Sequence, residues 1–307
     1  MMYARNSARN VLSHLRQWAI FCVHHSKTMV PAEVTTLVAF LELMARSSGY
    51  GHIKAVVSSI KFLHGALDSP FPSDAFQLDA TLRGLKRRLA RTPFQVLPIT
   101  PDILRRMYRH VNISNPAQLA TWCAFLVAFY CLFRKASVVP ESSASKTLPR
   151  QAIRLDSETR TVLVYVSHSK TIQFGQRDLV IPLVANSDSA LDPWRHLQAL
   201  LHTCPVSAES PAFSYRSNRC VTYSSFTASL KNLLTLAGLD PQLYSGHSFR
   251  RGGATFLHQA GGNVLQVQAA GDWSSMCFTR YLYLSLEQRL ASQRLMQASI
   301  NASSTNS

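Results

Sequence analysis

A chain of 307 residues has room for about two domains and a sizeable core. Lys and Arg number 32 against 16 Asp and Glu, a formal net charge of +16. So large an excess in a chain with few charged residues suits a polyanion, nucleic acid before any other. Cys22, Cys123, Cys131, Cys204, Cys220 and Cys277 are scattered, mostly in apolar surroundings, with no C-x-x-C pair, which speaks against a disulfide framework and for reduced intracellular thiols.

Residues 7–25 have helical spacing, with Val11, Leu12, Leu15, Trp18, Ala19 and Cys22 as the apolar positions, and no signal peptide is visible. Pro31 and Glu33 open a second helix over 35–46, which closes near Gly49. A third, 53–67, gathers Val56, Val57, Ile60, Leu63 and His64 on one side before Pro70 and Pro72 break it. The fourth, 79–91, carries Arg83, Lys86, Arg87, Arg88 and Arg91, which taken alone is a solvated basic face. Four short helices with little strand propensity predict a helical domain over 1–92, and Thr92-Pro93 and Pro98 to Pro101 mark a linker, 93–100.

A second domain is expected over 101–298, ahead of a Ser/Asn-rich mobile tail, 299–307. Its first helix, 101–111, has Thr100 as cap, Pro101 at the first position and Asp102 in the first turn. The apolar run 119–133 is shorter than the ~18–20 residues a membrane span needs, so it reads as the buried helix of this domain. Arg134 follows it, where a cation is favoured by the helix dipole alone. Segments 161–167 and 178–184 are the best strands, and the stretch between them, with Gly175 for a turn, puts Lys170 and His168 on or near a hairpin tip. Helices are predicted over 192–201 and 224–237. His196, His202, Cys204 and Cys220 match no standard zinc spacing, and no metal site is expected.

The stretch 245–283 concentrates the chemistry. His247 and Arg250, three apart, share one face of a helical turn, and Arg251 and Gly252-Gly253 follow. A second helix, 264–270, stops at Gly271 before Asp272 and Trp273, and a last segment brings Arg280, Tyr281 and Tyr283. An imidazole, guanidinium groups, an indole and a phenol on helices split by glycine turns suit a phosphodiester.

In this order and spacing His247, Arg250, Trp273 and Tyr281 resemble the C-terminal half of the tyrosine recombinase (phage-type integrase) family. The wording HSFRRGGATF and GDWSSMCFTRYL is most similar to recombinases of eukaryotic mobile elements of the Crypton and DIRS kind. The resemblance implies a mainly α fold with a small β-hairpin or sheet. It also implies two domains, a helical core-binding domain and an α+β catalytic domain, closing around double-stranded DNA. It assigns catalytic roles to Arg134, Lys170, His247, Arg250, Trp273 and Tyr281, with Lys170 as general acid, His168 as its rival, and Tyr281 rather than Tyr283 as nucleophile. Arg83, Lys86, Arg87, Arg88, Arg91 and Arg251 become DNA contacts. Many members carry a carboxylate three residues after the first arginine, where this chain has Ser137.

The reaction so implied is strand breakage and rejoining through a 3′-phosphotyrosine, for recombination and integration, without metal or cofactor. The expected assembly is a homotetramer on paired DNA sites, off the membrane and inside the cell, in the nucleus for a eukaryotic host. Two rivals share the pattern: a type IB topoisomerase-like enzyme, and a domesticated element that binds DNA without cutting it.

Overall fold

The computed structural model describes residues 5–90, 96–141, 147–166 and 179–273, with Ser275, Thr279, Leu282, Leu290, Gln293, Arg294, Met296 and Gln297. The chain divides into two compact units, Met1–Phe94 and Gln95–Ser307.

The first unit holds α1 (Arg5–His24), α2 (Val34–Met44), α3 (Tyr50–Ala66) and α4 (Phe76–Arg88). The apolar repeats that predict these helices become one core of Trp18, Leu37, Phe40, Leu41, Ile53, Val56, Ile60, Leu78 and Leu85. Trp18 and His64 carry polar groups into it, and both are paired, as burial requires. Trp18 Nε1 donates to the Met29 carbonyl at 3.1 Å. Fully buried His64 accepts from the Ala32 N–H at 2.9 Å through Nε2, and its Nδ1 lies 2.9 Å from the Ile60 carbonyl. That pairing requires the proton on Nδ1.

The second unit is built on α6 (Pro116–Tyr130), whose residues from Leu119 to Phe129 are buried except Thr121. Apolar on every side, α6 is the central helix of this core; among the described residues no helix is long and apolar enough to cross a membrane. Around it lie α5 (Pro101–Tyr108), the single turn α7 (Lys135–Val138), α8 (Pro193–Thr203), α9 (Tyr223–Leu236), α10 (His247–Gln259) and α11 (Val264–Ala270). Side chains cap several of them: Thr100 accepts from Ile103 N, Asn115 from Ala117 N and Gln118 N, and Asp192 from Trp194 N.

Strands β1 (Ile153–Asp156), β2 (Thr161–Val166) and β3 (Leu179–Val184) form an antiparallel sheet in that order. Val162, Val164 and Val166 alternate inward, and Pro182 falls on the edge strand, where its missing N–H costs no ladder bond. The strand β1, absent from the sequence expectation, is only four residues long and is recruited by pairing with β2. A second small sheet pairs β4 (Ser214–Arg216) with β5 (Arg219–Cys220). The mainly α fold with small sheets is thus the one expected.

Residues 96–99, expected within a linker, belong to the second unit. Leu97 N donates to the Leu243 carbonyl at 2.8 Å, Ile99 N to that of Ser248 at 3.0 Å, and Ile99 is fully buried.

Candidate active site

The site is assembled where α10 starts, and the glycine pair after Arg250 explains its position. A Cβ at Gly252 would run into the backbone of Ile99, and one at Gly253 into the Phe129 carbonyl and Leu132. Without side chains there, α10 packs directly onto the end of α6. Arg250 is thereby driven inward and is only 3% exposed.

Two backbone carbonyls hold its guanidinium. Nη1 donates to the Leu132 carbonyl, and Nη2 to that of Gly271 at 2.9 Å. Leu132 and Asp272 both have left-handed backbones, φ 52° and 50°. For a branched side chain such as leucine this conformation costs about 1–2 kcal/mol. The strain falls at the two turns that aim these carbonyls at the arginine, the pattern of a site maintained by its surroundings. The indole of Trp273 lies beneath, its ring centroid 3.9 Å from Cζ of Arg250. Trp273 is itself seated on Leu132, Ala254 and Val267, and Gly271 leaves space for its ring.

His247 opens α10, with its N–H donating to Ser245 Oγ at 3.2 Å. Its outer edge meets solvent, yet burial, then the cations Arg134, Arg250 and Lys135, push its pKa below the usual imidazole value. At neutral pH the ring is uncharged, one nitrogen able to accept a proton and the other to donate a hydrogen bond. Arg134 reaches the same corner through its neighbour Lys135, whose stem lies against Gly246: it occupies the N-cap position of α7 without a side-chain capping bond, is half-buried, and forms no ion pair among the described residues. His247, Arg250, Trp273 and Arg134 therefore come together from segments more than a hundred residues apart. At position 137, where a carboxylate was wanting, the Ser137 N–H bonds the Arg134 carbonyl at 2.9 Å, and carbonyl oxygens do the holding of Arg250.

Other expectations fare differently. Arg251, expected on DNA, is buried at 8% exposure and donates to the Val96 carbonyl at 2.9 Å; it pins the chain that enters the second unit instead. Arg83, Lys86, Arg87 and Arg88 are exposed on α4, with Arg83 paired to Asp79 and Arg88 to Glu42. Arg91, Lys170 with its rival His168, and Tyr281 with its rival Tyr283 lie outside the described residues. Among the described residues no His, Cys, Asp and Glu cluster could hold a metal, and the His196 ring is engaged by the Ser189 carbonyl at 3.0 Å. Burial raises the thiols of Cys123 and Cys131, which stay protonated. Sequence reasoning missed Lys135; its only signal was its place beside Arg134.

No protein-family model matches the chain. The Cre recombinase of Escherichia phage P1 is 24% identical over 284 residues, covering 89% of this chain and 82% of Cre. An integrase/recombinase XerD homolog of Selenomonas ruminantium is 23% identical over 267 residues, covering 83% and 75%. Among solved structures, the Tn1549 transposon integrase in complex with transposon right end DNA superposes with a TM-score of 0.65 at 15% identity, over 96% of this chain and 95% of that one. The chain is thus similar to a recombinase and an integrase/recombinase homolog over most of their length, and it shares its fold with a transposon integrase.

Proposed function

We propose that this protein breaks and rejoins DNA strands as a site-specific tyrosine recombinase. The observation that carries the reading is the convergence of Arg134, His247 and Arg250, with Arg250 locked by two carbonyls over Trp273. Phosphoryl transfer depends on positioning and on stabilising charge at the non-bridging oxygens. Guanidinium groups suit that task because their planar donors hold phosphate oxygens in a defined geometry.

In the proposed reaction the phenolic oxygen of Tyr281 attacks phosphorus and its proton passes to neutral His247. The bond from phosphorus to the 5′ oxygen breaks, and Lys170 protonates that oxygen. A phenol of ordinary pKa near ~10 needs such a proton acceptor beside a cationic pocket. The 3′-phosphotyrosine keeps the bond energy, so a 5′ hydroxyl from another duplex reverses the step without ATP. Metal and cofactor have no part in this scheme. The domain over 1–92 would grip DNA together with the catalytic domain over 101–298, using Arg83, Lys86, Arg87, Arg88 and Arg91 on phosphates. A homotetramer on two DNA sites, a Crypton- or DIRS-type element as source, and a nuclear location in a eukaryotic host complete the proposal.

The test starts by trapping protein on fragmented genomic DNA and sequencing the attached ends, which supplies the target. A nicked duplex carrying that target should then form a denaturant-resistant adduct whose peptide bears a 3′ phosphate on Tyr281, and Tyr281→Phe should form none. An adduct that persists in Tyr281→Phe defeats the nucleophile assignment. Binding without any adduct favours the domesticated reading. Relaxation of any plasmid, without a site requirement, favours the topoisomerase-like one.

A further inference from the structure

Lys135 follows Arg134 and opens α7. Its ammonium donates to Thr227 Oγ1 at 3.0 Å and lies 3.5 Å from the centroid of the Tyr223 ring, both on α9. Its stem fills the space against Gly246: a Cβ at that glycine would collide with Cβ, Cγ and Cδ of Lys135. Gly246 is the residue from which α10 starts, and it has no side-chain cap. One side chain thus links the backbone that carries Arg134, the helix α9, and the corner that carries His247.

A lysine serving only to fill space would be replaceable by Met or Leu. This one is half-buried, and its ammonium meets a hydroxyl and an aromatic face rather than a carboxylate. It forms no ion pair among the described residues, so its charge is left to act on the site. We propose that Lys135 is a positioning residue of the cleavage site, a strut that sets the His247 imidazole relative to the Arg134 guanidinium and adds a fixed positive charge behind both. This rests on the cleavage reading above. The charged groups facing His247 are Arg134 and Lys135 from the turn α7 and Arg250 from α10. All three oppose its protonation, with burial the larger influence.

The experiment is single-turnover adduct formation on a saturating nicked target duplex across pH, comparing wild type, Lys135→Met and Lys135→Arg. Lys135→Met keeps the stem and removes the charge. Its adduct rate should fall roughly tenfold to a hundredfold, the scale of a small misplacement of reacting groups. Its acid limb should move to higher pH, because an imidazole relieved of one cation holds its proton more readily. Lys135→Arg should restore the position of the limb. A Lys135→Met protein with wild-type rate and an unmoved limb overturns the inference. Should that variant fail to fold, Thr227→Val, which releases the ammonium without disturbing the stem, decides: an unchanged rate there also overturns it. A wild-type protein that forms no adduct at all brings down the cleavage reading itself, whereas normal cleavage by Lys135→Met removes only the strut.

Discussion

The basic face of α4 and the start of α10 are both arginine-rich, and the fold treats them in opposite ways. On α4, Arg83, Lys86, Arg87 and Arg88 stand in solvent, two of them against carboxylates. At α10, Arg250 and Arg251 are buried, and they donate to the carbonyls of Leu132, Gly271 and Val96. An exposed cation is screened within about 10 Å at 0.1 M salt and contributes diffuse attraction to a polyanion. A buried guanidinium in fixed hydrogen bonds acts at one point and in one orientation. Even neighbours divide the work: Arg250 faces the candidate site, while Arg251 ties residue 96 to the second unit.

The contrast can be broken from the buried end first. Arg250→Lys keeps the charge and loses the fork, and cleavage of the target duplex should fall by about 10²–10³, the cost of losing one preorganised donor, with DNA binding retained. Equal cleavage by the two proteins would show that charge alone suffices. Next in size, Gly252→Ala drives a methyl group into the Ile99 backbone. It should destabilise the second unit by about 3 kcal/mol, read as a lowered denaturation midpoint, since neither backbone can yield easily. A third, smaller effect belongs to the exposed face. Replacing Arg83, Lys86, Arg87 and Arg88 by Ala should weaken DNA binding and flatten the log K against log salt line by roughly 0.9 for each phosphate no longer neutralised, with single-turnover chemistry at saturation unchanged. The least is expected from Asp79→Asn, which frees Arg83: the unfolding midpoint should stay within about 2 °C, as for most surface ion pairs, and DNA affinity should rise slightly.

Much of the scaffold was legible. Helical repeats located α1 to α6 and α8 to α11 within a few residues, because the periodicity that buries one face is local information. Valine-rich alternation located β2 and β3 for the same reason, while β1 and β4–β5 are too short to carry a pattern of their own. Of the candidate site, the residue types in 245–273 were readable in order and spacing. Their partners were not, since a carbonyl oxygen leaves no mark in a sequence.

The sequence by itself determined the helical composition, the cationic excess and the ordered set Arg134, His247, Arg250 and Trp273. Only the tertiary structure decided that Arg250 is clamped by Leu132 and Gly271, that Arg251 turns into the fold, and that Lys135 reaches under Gly246 to α9. The physical reason is common to all three. Each depends on how closely α10 or its first residue can approach a segment a hundred or more residues away, and glycines set that distance: Gly252 against the Ile99 backbone, Gly253 against Phe129 and Leu132, and Gly246 against the Lys135 side chain.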